Sequence, residues 1–138
     1  MGLPKHGMTL SYHNHALEFV RFGKSTVLDF IYEATNPAHL KAELDTYWVQ
    51  LGGGDPASWL EKLSGRAPLL HLKDYTIDAK HNPIYTEIGQ GNLDWKRVLT
   101  AAEKAGTEWL IVEQDTCPGD PFDSIKISYD YLAGLLGK

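Results

Sequence analysis

The chain has 138 residues, 43% of them hydrophobic, and a formal net charge of −5. That is one domain's length with enough apolar content for a core, and its acidic balance, without a basic run, argues against nucleic acid or an anionic membrane surface as a partner. The single cysteine, Cys117, rules out an internal disulfide and points to a reducing cytoplasm, and no apolar run reaches the ~18 residues of a membrane span.

In chain order, the N-terminal MGLPKHG lacks the apolar stretch of a secretory leader. The spacing predicts a first strand over residues 8–14, followed by the aromatic-rich HALEFVRF. A helix is predicted over 26–34, stopped by Asn36-Pro37. A second strand covers 40–45 and runs into Gly52-Gly53-Gly54. Asp55 as N-cap with Pro56 at the first helical position starts a second helix over 56–63, closed by Ser64-Gly65. A short third strand, 68–71, precedes Lys73-Asp74. The stretch from there to Leu93 reads as a loop of about twenty residues, a length usually reserved for function or disorder. Asp94 or Asn92 caps a third helix over 95–104, ended by Ala105-Gly106. The fourth strand, 109–113, leads through CPGDPFD to a fourth helix over 121–136 with Asp120 as N-cap. Cys117 lies in that connecting loop beside Pro118 and Gly119 and reads as an ordinary loop residue rather than a catalytic thiol.

The order βαβαβαβα implies a parallel sheet with right-handed crossovers. Each strand ends on a metal-ligand type of residue: His13, Asp45, His71 and Glu113. The C-terminal ends of successive parallel strands converge on one rim, where an α/β barrel builds its active site. Two imidazoles and two carboxylates suit Mn²⁺, Zn²⁺, Co²⁺ or Fe²⁺, with positions left open for substrate oxygens. Such an ion serves as a Lewis acid, and a carboxylate beside it can move a proton. Each residue also has an ordinary reading. Asp45 could cap the segment that starts at Thr46, His71 could be a satisfied strand-end histidine, and Glu113 could pair with a lysine. His15 lies two residues after His13, and Lys73 two after His71, so each can share its neighbour's side in extended chain. That makes His15 a candidate substrate contact and Lys73 a candidate to hold a substrate oxygen or an enolate. Tyr47 and Trp48 suit either an apolar sugar platform or the core.

The segments LSYHNHALEF, ELDTYWVQ, LLHLKD, EIGQGNLDW and IVEQD, in that order, resemble the C-terminal half of the xylose-isomerase-like barrels, which include sugar-phosphate isomerases and epimerases. The most specific parts are His71-x-Lys73-Asp74 and Gly89-x-Gly91-x-x-Asp94-Trp95. The resemblance implies that Asp45, His71 and Glu113 are ligands of a divalent metal, Mn, Zn, Co or Mg, and that the substrate is a small sugar or sugar phosphate. The family's usual first ligand here is a Glu, often followed by Asn; this chain has His13-Asn14. Either His13 takes that role or Glu18 reaches back from the next turn as a second catalytic carboxylate. Only Glu113 is securely placed as ligand and base, so two-carboxylate proton transfer is in question. A more remote member, endonuclease IV, needs more His, Asp and Glu ligands than this chain offers.

The fold expected is therefore four βα units, half of a (β/α)₈ TIM barrel, in a single domain over residues 1–138. Lys5-His6-Gly7 reads as the last turn of a helix, matching Lys104-Ala105-Gly106. Bare parallel edges favour a homodimer that completes the barrel. Three functions compete: a metal-dependent isomerase or epimerase, a keto-sugar or keto-glycoside lyase or hydratase using one base, and a half-barrel module without turnover.

Overall fold

The computed structural model describes residues 6–137. Its elements in chain order are β1 (Ser11–His13), a 3₁₀ turn (Ala16–Phe19), β2 (Arg21–Phe22), β3 (Ser25–Thr26) and α1 (Val27–Glu33). Then follow β4 (Lys41–Asp45), α2 (Thr46–Leu51), α3 (Pro56–Lys62), β5 (Leu69–Leu72), β6 (Asp74–Ile77) and β7 (Pro83–Thr86). The chain continues with α4 (Trp95–Ala105), β8 (Trp109–Val112) and α5 (Pro121–Leu136). Strands β1, β4, β5 and β8 form one parallel sheet in that order. The sheet does not close: β1 and β8 are its edges, as in part of a TIM barrel.

All four predicted strands and all four predicted helices are present. The helix starts follow from their caps. Thr26 accepts from Asp29 N, Asp55 from Ser58 N, Asp94 from Arg97 N and Asp120 from Phe122 N. Gly106 closes α4 in the left-handed conformation. Gly7 has a φ of +68°, whereas Lys5 of the proposed helix end lies outside the described residues.

The stretch between Asp74 and Leu93 corrects the sequence reading. It is not a structureless loop: β6 and β7 pair as an antiparallel hairpin, Tyr75 opposite Tyr85. Its tight turn is held by Asp78, whose carboxylate accepts from Lys80 N and Asn82 N at 2.8 Å each. The left-handed residue there is His81, at φ +68°, so no glycine marks the turn. Two further short elements went unpredicted, α2 directly after β4 and the small antiparallel β2–β3 ribbon.

Alternation along the strands sorts side chains to two faces. Ala42, Leu44, Leu70 and Leu72 point to the helix layer and are fully buried. They meet Trp59 and Leu60 of α3 and Val98, Ala101 and Ala102 of α4 in one core. The opposite face carries the polar set. Register aligns His13 with Glu43, Glu43 with Leu69, Asp45 with His71, and His71 with Ile111. This second face would line a barrel's interior, and towards β8 it stands open, with Trp109 65% exposed.

Arg66 ties α1 to the sheet. Its guanidinium donates to the carbonyls of Tyr32 (2.6 Å), Thr35 (3.1 Å) and Leu40 (3.0 Å) and to Thr35 Oγ1 (2.6 Å). The Tyr32 and Thr35 carbonyls lie at the C-terminal end of α1, where a helix leaves carbonyls unpaired, and that of Leu40 lies immediately before β4. Arg66→Ala is expected to cost about 2–3 kcal/mol, read as a lower denaturation midpoint in urea. No helix among the described residues is long and apolar enough to cross a membrane.

Candidate metal centre at the C-terminal edge of the sheet

The strand ends bring His13, Asp45, His71 and Glu113 together. One donor atom from each lies within 4.8 Å of the others. His13 Nε2 stands 3.3 Å from Asp45 Oδ2, and His71 Nδ1 stands 2.5 Å from Glu113 Oε2. The rings of His13 and His71 are 4.5 Å apart between centroids. Around an ion bound at roughly 2.0–2.2 Å, tetrahedral ligands stand about 3.3–3.6 Å apart, so the most widely spaced donors of this set would draw in by about 1 Å to close around a cation. The donor chemistry, two imidazoles and two carboxylates, fits a divalent ion.

Asp45 is fully buried and does two jobs. Its Oδ1 accepts from Trp48 N at 3.1 Å and caps α2, while Oδ2 faces His13. Burial drives its carboxyl above the usual range, and the Trp48 N–H, the Lys73 ammonium and His13 only partly oppose that. A cation at this point would supply the missing compensation. The capping role and the ligand position are thus compatible in one side chain.

The strand ends are braced from behind. Asn14, wholly buried, accepts from Asp45 N at 3.2 Å, and its amide nitrogen has no partner among the described residues. Thr46 Oγ1 accepts from Lys73 N at 2.9 Å and lies 3.1 and 2.9 Å from the carbonyls of His71 and Lys73. One threonine hydroxyl thus fixes the end of β5 against the start of α2.

Lys73 points into the same site although its side chain is only 2% exposed. Its ammonium lies 2.8 Å from Asp115 Oδ1 and 3.3 Å from Glu113 Oε1. The rings of Tyr85, Trp48 and Tyr47 surround it at 5.1, 5.5 and 5.8 Å. Burial works against the charge, but Asp115, Asp45 and Glu113 outweigh it and hold the pKa above its ordinary value. These carboxylates favour the ammonium form of Lys73. On Asp115, burial is likewise outweighed by Lys73 and the Tyr85 hydroxyl, and its pKa falls below the usual carboxylate value.

His15 is exposed at the mouth, its ring 5.0 Å from both His13 and Trp48. Trp48 is half-buried, with one side on the core and one on this rim. Glu18 is not brought into the cluster. Its oxygens accept from Tyr12 Oη at 2.7 Å and His15 N at 2.8 Å, which closes the 3₁₀ turn. Burial and this carboxylate push the Tyr12 phenol up to about 12.

Three partners were invisible in the sequence: Glu43, Asp115 and Tyr85. Glu43 Oε1 lies 2.8 Å from His71 Nε2. The only hint was its place two residues before Asp45, on the same side of the strand.

Asp74 explains the other specific motif. Fully buried, its carboxylate accepts from Tyr75 N (2.8 Å), Gly89 N (2.9 Å), Gly91 N (3.2 Å), Leu93 N (3.4 Å) and Trp95 Nε1 (2.7 Å). The glycines are required. A Cβ on Gly91 would run into the Asp74 carboxylate and the Tyr75 carbonyl, and Gly89 has a φ of +88° against the Tyr131 ring. Asp74 thus anchors the segment that follows the hairpin, next door to the site. A groove of about 710 Å³ lies elsewhere, lined by Leu99, Leu110 and Leu135 among others, and contains none of these groups.

Comparison with known proteins agrees with the partial-barrel fold. The sequence model described as xylose isomerase-like TIM barrel matches residues 3–133. An inosose dehydratase of Lacticaseibacillus casei is 27% identical over 143 residues, covering 91% of this chain and 47% of that protein. The inosose dehydratase of Geobacillus kaustophilus is 28% identical over 147 residues, covering 94% and 47%. The chain spans about half the length of these curated relatives. A solved sugar phosphate isomerase/epimerase from Parabacteroides distasonis superposes with a TM-score of 0.79 at 28% identity, covering 94% of this chain and 46% of that one. With the match taking in nearly the whole sequence, the chain belongs to the xylose isomerase-like TIM barrel family.

Proposed function

We propose that this chain carries the metal-holding half of an enzyme that removes a proton next to the carbonyl of a small polyhydroxy ketone and then expels water. The observation that carries this reading is the meeting of His13, Asp45, His71 and Glu113 with the buried ammonium of Lys73 on Glu113. His13, Asp45, His71 and Glu113 would hold the divalent ion, Mn, Zn, Co or Mg. Bound there, it would supply a Lewis acid for the substrate's carbonyl oxygen.

Glu113 is the base. Its Oε1 faces Lys73 and its Oε2 faces His71, so the carboxylate is oriented on both sides. It takes the C–H proton, the electron pair forms the new double bond, and the C–O bond on the adjacent carbon breaks. The departing hydroxyl takes back the proton now on Glu113 and leaves as water, which restores the Glu113 carboxylate. Lys73 stabilises the negative charge that develops on oxygen, because its surroundings keep it an ammonium. His15 and Trp48 line the mouth as substrate contacts.

Elimination needs one base; epimerisation through two opposed carboxylates needs a second. The first strand ends in His13, and Glu18 is occupied by Tyr12 and His15. That supports dehydration over epimerisation, as does the kinship with inosose dehydratases. The isomerase/epimerase reading draws on the likeness to the Parabacteroides protein. Incubation with metal and an inosose, ketoses or their phosphates in deuterium oxide separates the two. Loss of water from the substrate's mass supports dehydration. Deuterium gain without mass loss supports isomerisation or epimerisation. No change with any substrate leaves the module without turnover.

We further propose that the 138-residue chain on its own forms a homodimer whose two open sheets complete a barrel. Two parallel edges, β1 and β8, lack neighbours among the described residues, and Trp109 lies open beside one of them. Light scattering at low micromolar concentration should give twice the chain's mass; a monomer overturns the dimer.

A further inference from the structure

We propose that Glu43 is a positioning residue for this metal centre, accepting the Nε2–H of His71 so that Nδ1, on the Glu113 side of the ring, is the nitrogen left to bind the ion. The inference rests on the metal-binding reading above and deepens it. Glu43 and Asp45 stand two residues apart on β4, so both side chains leave the same face of the sheet. Register pairs Asp45 with His71 and Glu43 with Leu69, one layer deeper. From there Glu43 Oε1 reaches His71 Nε2 at 2.8 Å, while Nδ1 lies 2.5 Å from Glu113 Oε2. The two nitrogens of one imidazole therefore face different carboxylates. Glu113 belongs to the four-residue cluster and Glu43 does not.

A ligating imidazole must give up the proton on the nitrogen that binds, and the other N–H needs an acceptor to settle the tautomer and the ring's direction. Glu43 is that acceptor. It is partly shielded, with its side chain 24% exposed beside a His71 side chain that is 16% exposed, so bulk water does not freely replace it. Glutamine keeps an acceptor oxygen at this place, whereas leucine keeps only the bulk.

The test is nitrogen-15 correlation spectroscopy of the His71 ring, together with Zn²⁺ and Mn²⁺ affinity by calorimetry, for wild type, Glu43→Gln and Glu43→Leu. With zinc bound, the wild-type ring should carry an Nε2 proton that Glu43 protects from exchange with water, and zinc should shift Nδ1. Glu43→Leu should lose that protection and bind metal about 10–100-fold more weakly. Glu43→Gln should keep the protection and most of the affinity. Zinc acting on Nε2 overturns the proposal, and that reading needs only the wild-type chain. It is also overturned if Glu43→Leu leaves ring and affinity unchanged, or if Glu43→Gln loses as much affinity as Glu43→Leu, since the carboxylate would then act through its charge. If wild type binds no metal, the metal-centre reading fails and this proposal falls with it; metal binding that Glu43→Leu leaves intact sinks this proposal alone.

Discussion

Asp74→Ala should destabilise the fold by about 3–5 kcal/mol, the largest effect expected from any single side chain described here. The carboxylate is fully buried and accepts from four backbone N–H groups and the Trp95 indole. Removing it strands these donors without water, and each buried unpaired donor costs about 1–3 kcal/mol. Asp74→Asn should be nearly as harmful. Asparagine retains one acceptor oxygen but turns an NH₂ towards groups that are themselves donors. Chemical denaturation measures the loss. Hydrogen exchange should locate it, with amides of 89, 91 and 93 losing protection first. An Asp74→Asn protein as stable as wild type would show that the donors find other partners.

The second large effect separates ligation from folding at Asp45. Asparagine caps helices about as well as aspartate. Asp45→Asn should therefore keep α2 and the fold, since the Trp48 N–H still has its acceptor. Metal affinity should fall by more than the about 10–100-fold that follows loss of a supporting group. Glu113→Gln should affect turnover more than binding: solvent-deuterium exchange into substrate is expected to drop by about 10²–10⁴-fold, the usual worth of a positioned general base. Calorimetry and proton NMR on the same preparations give both numbers. Asp45→Asn with unchanged affinity would reduce Asp45 to a cap, and Glu113→Gln with unchanged exchange would move the base elsewhere.

The parallel sheet was readable in the sequence because its strands are short apolar runs separated by strongly capped helices. Asp55-Pro56 and Asp120-Pro121 state a helix start almost without context. The segment TYWVQL did not, because most of its residues are indifferent helix formers. That six-residue helix exists because Asp45 caps it and Tyr47 and Val49 are buried in the core. The β6–β7 hairpin was missed because its turn uses Asp78 and a left-handed His81 in place of Asn-Gly or Asp-Gly. In the site, the four strand-end residues were identifiable as chemical types at strand ends. Glu43 and Asp115 were not, since a carboxylate one pleat away from a ligand looks like any polar residue on an alternating strand. Glu18 drew attention by its charge, but the local need of the 3₁₀ turn for an acceptor claims it.

Lys73 and Asp74 are neighbours in sequence with opposite charges and separate surroundings. The ammonium sits among carboxylates and aromatic rings, and the carboxylate among N–H donors. A slip of one residue at the end of β5 would put Asp74 in the place of Lys73, or, in the other direction, Lys73 in the place of Asp74. In the first case Asp74 would face Glu113 and Asp115, and in the second Lys73 would meet a ring of donors. Both placements are repelled, so the dipeptide discriminates against misaligned pairing far more strongly than the interchangeable leucines before it can. Correct alignment of the strand and assembly of the site are in this way one event: a chain that has found its register has already delivered its lysine to Glu113.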